Sequence, residues 1–221
     1  MDPSPDADPP PLAAGAFSAW LAGMRRTLDS DADADVPCGG CTACCTSSQF
    51  VHIGPDEVDA LRRIPAELLF PAPLRLRGHV VLGYDQNGHC PMLVEGGCSI
   101  YEHRPRTCRT YDCRVFAAAG VEIDDADQIE IGRRAGRWRF DHPDEVDRTR
   151  HDAVRAAARY VRERADLLPA GTGPVNTTGR AVLAVRLHDA FLGHDDETDR
   201  RVVVEPDPEA IRVVIGRRLG P

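Results

Sequence analysis

Cysteine is the residue type in this chain whose spacing points to chemistry. Four stand within eight residues, Cys38-Gly39-Gly40-Cys41-Thr42-Ala43-Cys44-Cys45, and four more follow at Cys90, Cys98, Cys108 and Cys113. A thiolate is a soft ligand for zinc or iron, and four of them complete a tetrahedral shell. Two residues between cysteines let the chain turn back so that both sulfurs reach one centre, and Cys38, Cys41 and Cys44 use that spacing twice. Zinc ribbons commonly use two separated C-x2-C pairs, and no second pair occurs here. Three thiolates at this spacing plus a remote Cys-Pro, supplied by Cys90-Pro91, are nearer the bacterial ferredoxin arrangement. Spacing therefore leans toward an iron–sulfur cluster, 4Fe–4S ahead of zinc. Adjacent side chains diverge, so Cys44 and Cys45 do not readily ligate one atom. Cys45 with Cys98, Cys108 and Cys113 makes a second set of four. The expectation is one centre or two.

Composition sets the surroundings. The chain has 221 residues and a formal net charge of −8, and all 27 of its basic side chains are arginine. Without lysine, Schiff-base chemistry and a Walker-type phosphate loop are excluded. The acidic balance argues against nucleic-acid binding, which needs a positive surface to displace counterions. The first residues, Met1-Asp2-Pro3-Ser4-Pro5-Asp6, are acidic and proline-rich, unlike a secretory leader. No run reaches the roughly 18 to 20 apolar residues of a membrane span. A cytosolic protein is expected, in which thiols stay reduced and clustered cysteines serve metals or redox chemistry rather than disulfides.

Other side chains near the cysteines are candidate helpers. Arg104 and Arg109 flank Cys108, and a four-thiolate zinc site carries a formal charge of −2. Guanidinium hydrogen bonds to sulfur or backbone would balance it, while the alternative is an anionic substrate. His52, His79, His89 and His103 lie in the same stretch, with His89 beside Cys90 the best placed to ligate.

The elements that must hold these residues read as an α+β fold: a small, irregular, metal-centred cysteine-rich domain of short hairpins and helices, with a helical C-terminal extension. Residues 1–11 form a disordered tail, and 12–35 an N-terminal helix, over 12–28, with an acidic linker. Residues 36–118 form the cysteine domain and 119–221 the extension. Within the cysteine domain a short helix is expected from Pro55, with Val58, Leu61 and Ile64 facing inward. A strand over His79–Tyr84 leads to the turn Asp85-Gln86-Asn87-Gly88 before Cys90. A second turn, Glu95-Gly96-Gly97, precedes Cys98, and Pro105 opens a helical turn carrying Cys108 and Cys113. Ile129–Phe140 reads as a hairpin. A long helix then starts near His142, capped by Asp141 or His142, with Val154, Ala157, Ala158, Val161, Ala165 and Leu168 on one face. Ala181–Leu192 reads as helix, and the segments 201–205 and 211–215 as two strands or as strand and helix.

Cys38-x2-Cys41-x2-Cys44-Cys45, then Cys90-Pro91-Met92-Leu93, Gly97-Cys98-Ser99-Ile100-Tyr101, Arg104-Pro105-x2-Cys108-Arg109 and Cys113 together resemble the YkgJ-type cysteine-cluster family. The resemblance covers about residues 36 to 116 and takes in all eight cysteines. Members are described as zinc- or iron-chelating, and the flagellin lysine N-methylase carries a related domain. The resemblance implies that the cysteines bind iron or zinc and that the methylase relative uses an iron–sulfur centre. No glycine-rich turn for S-adenosylmethionine and no C-x3-C-x2-C of radical enzymes is present. Three roles follow for such a centre: a redox or protein-modifying enzyme, a closed structural module that meets a protein partner, or metal delivery and storage.

Overall fold

The computed structural model describes residues 9–73, 77–123, 125–169, 171–174 and 176–219. The tail expected over 1–11 falls mostly outside them. Short sheets and helices are mixed, as an α+β chain requires. Two compact units form, and neither is continuous in sequence. One comprises Met1–Arg25, Cys113–Glu122 and Ala135–Pro221, the other Arg26–Asp112 and Ile123–Arg134. No helix among the described residues is long and apolar enough to cross a membrane.

The first unit is built on helices. Its N-terminal residues were expected to be helical from 12 onward, but Leu12–Ala16 is a strand and the helix runs over Phe17–Ser30. That strand pairs in parallel with Trp138–Asp141, with a bulge between Ala13 and Gly15, where Gly15 takes a φ of +84°. Apolar periodicity had no means of revealing a partner more than a hundred residues away. The start of the helix is held by Asp147, whose carboxylate accepts the Ser18 N–H at 2.6 Å. Ile129–Phe140 is not a hairpin: Ile129–Ala135 is helical and the strand begins only at Trp138.

The long helix spans Glu145–Glu163, and its cap is Asp144 rather than Asp141 or His142. The Asp144 carboxylate accepts the Asp147 N–H at 2.9 Å. Val154, Ala157, Ala158 and Val161 are buried as their spacing requires, while Ala165 lies past the helix end and is exposed. Asn176 caps the next helix, Thr177–Leu187, by accepting the Gly179 N–H. The C-terminal segments resolve into the strand Arg200–Val203, antiparallel to Leu192–Asp195, and the helix Pro208–Leu219.

The second unit carries a three-stranded antiparallel sheet in the order Val51–Ile53, Val80–Leu82, Leu69–Pro71. Its core is Val51, Ile53, Ala60, Ile64, Leu82 and Ile100. The helix opened by Pro55 is a single turn, Val58–Leu61, and it turns Ala60 inward while Val58 stays exposed. Cys90, Cys98 and Cys108 pack, partly buried, against this same apolar core.

Candidate metal centre

Three cysteines from distant parts of the chain, Cys90, Cys98 and Cys108, pack against this core, and Cys45 stands close enough to Cys90 and Cys98 to feel their charge. Cys45 lies on the short 3-10 turn Ala43–Thr46, and its carbonyl accepts the Cys90 N–H at 2.7 Å. Cys90 is presented by a rigid loop. The Asp85 carboxylate accepts the N–H groups of Asn87 and His89, and the Gly88 carbonyl accepts that of Ser48. Cys98 sits in the hairpin Leu93–Val94 with Gly97–Cys98, directly opposite Leu93. Glu95 and Gly96 both take positive φ (50° and 78°) at its tip, a type I′ geometry that favours glycine at the second place. Cys108 rides on the helix Arg106–Thr110. The Glu57 carboxylate accepts the first N–H of that helix, and the Thr107 hydroxyl donates to the His52 carbonyl at 2.7 Å. Sheet and helix are thereby locked together beneath the sulfurs.

Three of these thiols, Cys45, Cys90 and Cys108, are raised by burial and by neighbouring sulfurs. Burial, then Cys90, Cys45 and Cys98, push the Cys108 thiol up to about 12. Burial, then Cys90, Cys98 and Cys41, push Cys45 up to about 11. Cys90 is raised by burial and by Cys98, partly offset by the backbone N–H groups of Met92 and Leu93. Arg104 acts in the opposite sense, lowering Cys45 and Cys108 through its positive charge. It is held in place by lying 3.7 Å over the Tyr101 ring and donating to the Tyr101 carbonyl at 2.9 Å.

Cys38, Cys41 and Cys44 form a different group. Cys38 and Cys44 are exposed and Cys41 is half-buried. The Cys41 N–H donates to the Cys38 carbonyl at 3.1 Å in a tight turn through Gly39, whose φ is +57°. Arg134, from the helix Ile129–Ala135, donates to the carbonyls of Pro37 (3.3 Å) and Cys38 (3.2 Å). The Cys38 thiol is raised by burial and by Cys41, and lowered by Arg134. Sequence reasoning missed Arg134; an arginine among 27, some ninety-six positions from its partner, carries no local signal.

The remaining candidates are placed as follows. Arg109 donates to the Arg104 carbonyl at 3.2 Å and pairs with Asp33, while its own carbonyl accepts the Ala34 N–H. Arg106 pairs with Asp56 and reaches Asp31 at 3.8 Å. The acidic stretch over residues 29–35 is thus strapped down by arginines rather than left as a free linker. Cys113 is not on the helical turn of Cys108: it caps the helix Arg114–Ala119 in the other unit, and its sulfur accepts the Trp138 indole N–H at 3.2 Å. His52 and His89 contribute a backbone carbonyl and a backbone amide to the scaffold. Among the described residues, no group of three or more His, Cys, Asp or Glu side chains stands in an arrangement that could hold a metal ion.

Residues 37–128 match the CxxCxxCC family model, described as "Putative zinc- or iron-chelating domain". The matched segment takes in the seven cysteines of the cysteine unit, and Cys113 as well. No curated protein and no solved structure matches the chain. A zinc- or iron-chelating cysteine cluster is therefore the chemistry assigned to this segment.

Proposed function

We propose that the cysteine unit is a metal module in which Cys45, Cys90, Cys98 and Cys108 hold one zinc or iron ion as a closed structural centre. The observation that carries this reading is that Cys90, Cys98 and Cys108 share one apolar floor, with Cys45 beside them through its carbonyl's hydrogen bond from the Cys90 N–H. Four partly buried thiolates would repel one another, and a divalent cation removes both that repulsion and the cost of desolvating their charge. The donor set fits soft-to-borderline metals, since it is all sulfur. Arg104 offsets part of the negative charge, and the Met92 and Leu93 amides face the Cys90 sulfur. When bound, such an ion supplies folding energy and fixes the surface of the unit; function then rests on what that surface meets, a protein partner first of all. Cys113, engaged by Trp138, lies outside the set.

A second reading is an iron–sulfur cluster, favoured by the spacing Cys38-x2-Cys41-x2-Cys44, which would make redox or protein-modifying chemistry accessible. Anaerobic purification followed by metal and acid-labile sulfide analysis separates the two. Zinc or iron without sulfide, lost in Cys90→Ser and Cys108→Ser, is the expected result. Brown protein with stoichiometric sulfide would replace it with the cluster reading.

A further inference from the structure

The helical unit holds a cleft that no cysteine lines. On the helix Glu145–Glu163, Ala156, Arg159, Tyr160 and Glu163 recur at intervals of three and four and so share one face. With Arg164, Phe191 and the residues 203–205 they line a cleft of about 220 Å³. The Val204 N–H donates to the Phe191 carbonyl at 2.9 Å, which ties those two walls together, and Phe191 meets the Tyr160 ring edge-on at 5.7 Å between centroids.

Two polar groups of this cleft lack a partner inside the protein. Tyr160 is 6% exposed, and its buried hydroxyl has no hydrogen-bond partner among the described residues, an uncommon state for a buried polar atom. Burial raises its pKa, and the charges it feels most, Arg164 and Glu205, both line the cleft. The second group is Arg159. The lining acids already have their arginines, Glu163 with Arg162 at 2.7 Å and Glu205 with Arg164 at 3.5 Å. Arg159 makes no ion pair among the described residues, although its charge reaches Glu163. The rest of the lining is apolar: Ala156, Phe191, Val203 and Val204, with the two valines 39% and 38% exposed.

We infer that this cleft binds a small monocarboxylate with an apolar body, its carboxylate accepting from the Tyr160 hydroxyl and the Arg159 guanidinium and its body lying on Phe191, Val203 and Val204. An arginine fork beside a hydroxyl donor matches the two oxygens of a carboxylate, and an apolar wall with few polar groups is the usual make-up of a small-molecule site. A cleft below the roughly 300–1,000 Å³ of a drug-sized site suits a ligand of about ten non-hydrogen atoms. Arg164 and Glu205 are both more than half exposed and pair at the long distance of 3.5 Å. An incoming carboxylate thus displaces Glu205 from Arg164 and gains the Tyr160 hydroxyl beside it. The cleft lies wholly in the helical unit, so its occupancy is read independently of what the cysteines hold.

The test titrates the full chain with octanoate and with benzoate by calorimetry. Saturable one-to-one binding is expected, with octanol (the same body without the charge) and acetate (the same head without the body) each weaker by at least roughly tenfold. Tyr160→Phe and Arg159→Gln should each weaken octanoate by about tenfold, and Glu205→Gln should tighten it by freeing Arg164. Thermal unfolding supplies a second readout. Octanoate should raise the Tm of the natural chain and not that of the variant carrying both Tyr160→Phe and Arg159→Gln. Without ligand, Tyr160→Phe should leave Tm unchanged or higher, because the hydroxyl it removes has no partner to lose. A lowered Tm in that variant would show that the protein already satisfies the hydroxyl, and the inference falls. It falls equally if neither carboxylate saturates the protein at millimolar concentration, if octanol binds as tightly as octanoate, or if Tyr160→Phe and Arg159→Gln leave the affinity unmoved.

Discussion

A thiol's role in this protein is decided by what surrounds its sulfur. Cys108, pushed up to about 12 by burial and by three neighbouring thiols, is protonated at neutral pH until a cation takes the proton's place. Metal uptake at the proposed centre of Cys45, Cys90, Cys98 and Cys108 would therefore release protons and weaken as pH falls. Arg104 lowers Cys45 and Cys108, so Arg104→Gln should shift the midpoint of a zinc-binding pH titration upward, toward more alkaline values. An unchanged midpoint would show that this guanidinium does not act on the thiolates. Cys113 is the contrasting case. Its sulfur is buried and accepts the Trp138 N–H, so Cys113→Ala should leave metal content unchanged yet cost about 1–3 kcal/mol by orphaning a buried donor. Loss of metal in that variant would return Cys113 to the ligand set. All eight cysteines were legible as one pattern in the sequence, and their division into exposed, partly buried and buried members was not, because it depends on the folded chain.

At the scale of elements, the long helix Glu145–Glu163 carries a pH-sensitive contact unrelated to the cysteines. His151 is 4% exposed, stacked on Phe17 at 4.2 Å between ring centroids, and its Nδ1 lies 2.7 Å from His142 Nε2. Burial, then Arg155 and His142, press its pKa down to about 4 from an ordinary 6.5. The folded state thus binds fewer protons than the unfolded state between those values. Stability is full above about pH 6.5 and falls toward pH 4, by roughly 3 kcal/mol in all for a shift of this size. Thermal unfolding followed by fluorescence should show this slope, since Trp20 and Trp138, the two tryptophans, both lie buried in the helical unit. A pH-independent Tm in that window would refute it. Asp144→Ala should cost the same unit about 1 kcal/mol, the worth of an N-cap. The helix itself was evident from its period; its cap was misplaced by two or three residues, because Asp141, His142 and Asp144 are all acceptable caps and only backbone direction chooses among them.

For the molecule as a whole, the units have separate stabilising causes. The helical unit has large buried aromatics and aliphatics such as Phe17, Phe116, Val154 and Leu187. The cysteine unit has a short sheet, single-turn helices and a small aliphatic core, and its strands are three residues or fewer. Elements this short are marginal without a further tie. Chelation should therefore raise amide hydrogen exchange over Val51–Ile53, Leu93–Cys98 and Arg106–Thr110, while the interior of Glu145–Glu163 keeps its protection. Equal protection with and without chelator would argue that the small core suffices alone. The alternation of cysteine spacing, the turns before Cys90 and Cys98, and the apolar face of the long helix were readable from sequence because each depends on neighbours a few residues apart. The parallel pairing of Leu12–Ala16 with Trp138–Asp141, the gathering of Cys45 with Cys90, Cys98 and Cys108, and the clamp of Arg134 on Cys38 depend on partners far along the chain. Local chemistry sets which atoms are able to bind a metal. Burial and long-range approach, which only the folded chain creates, decide which of them share one.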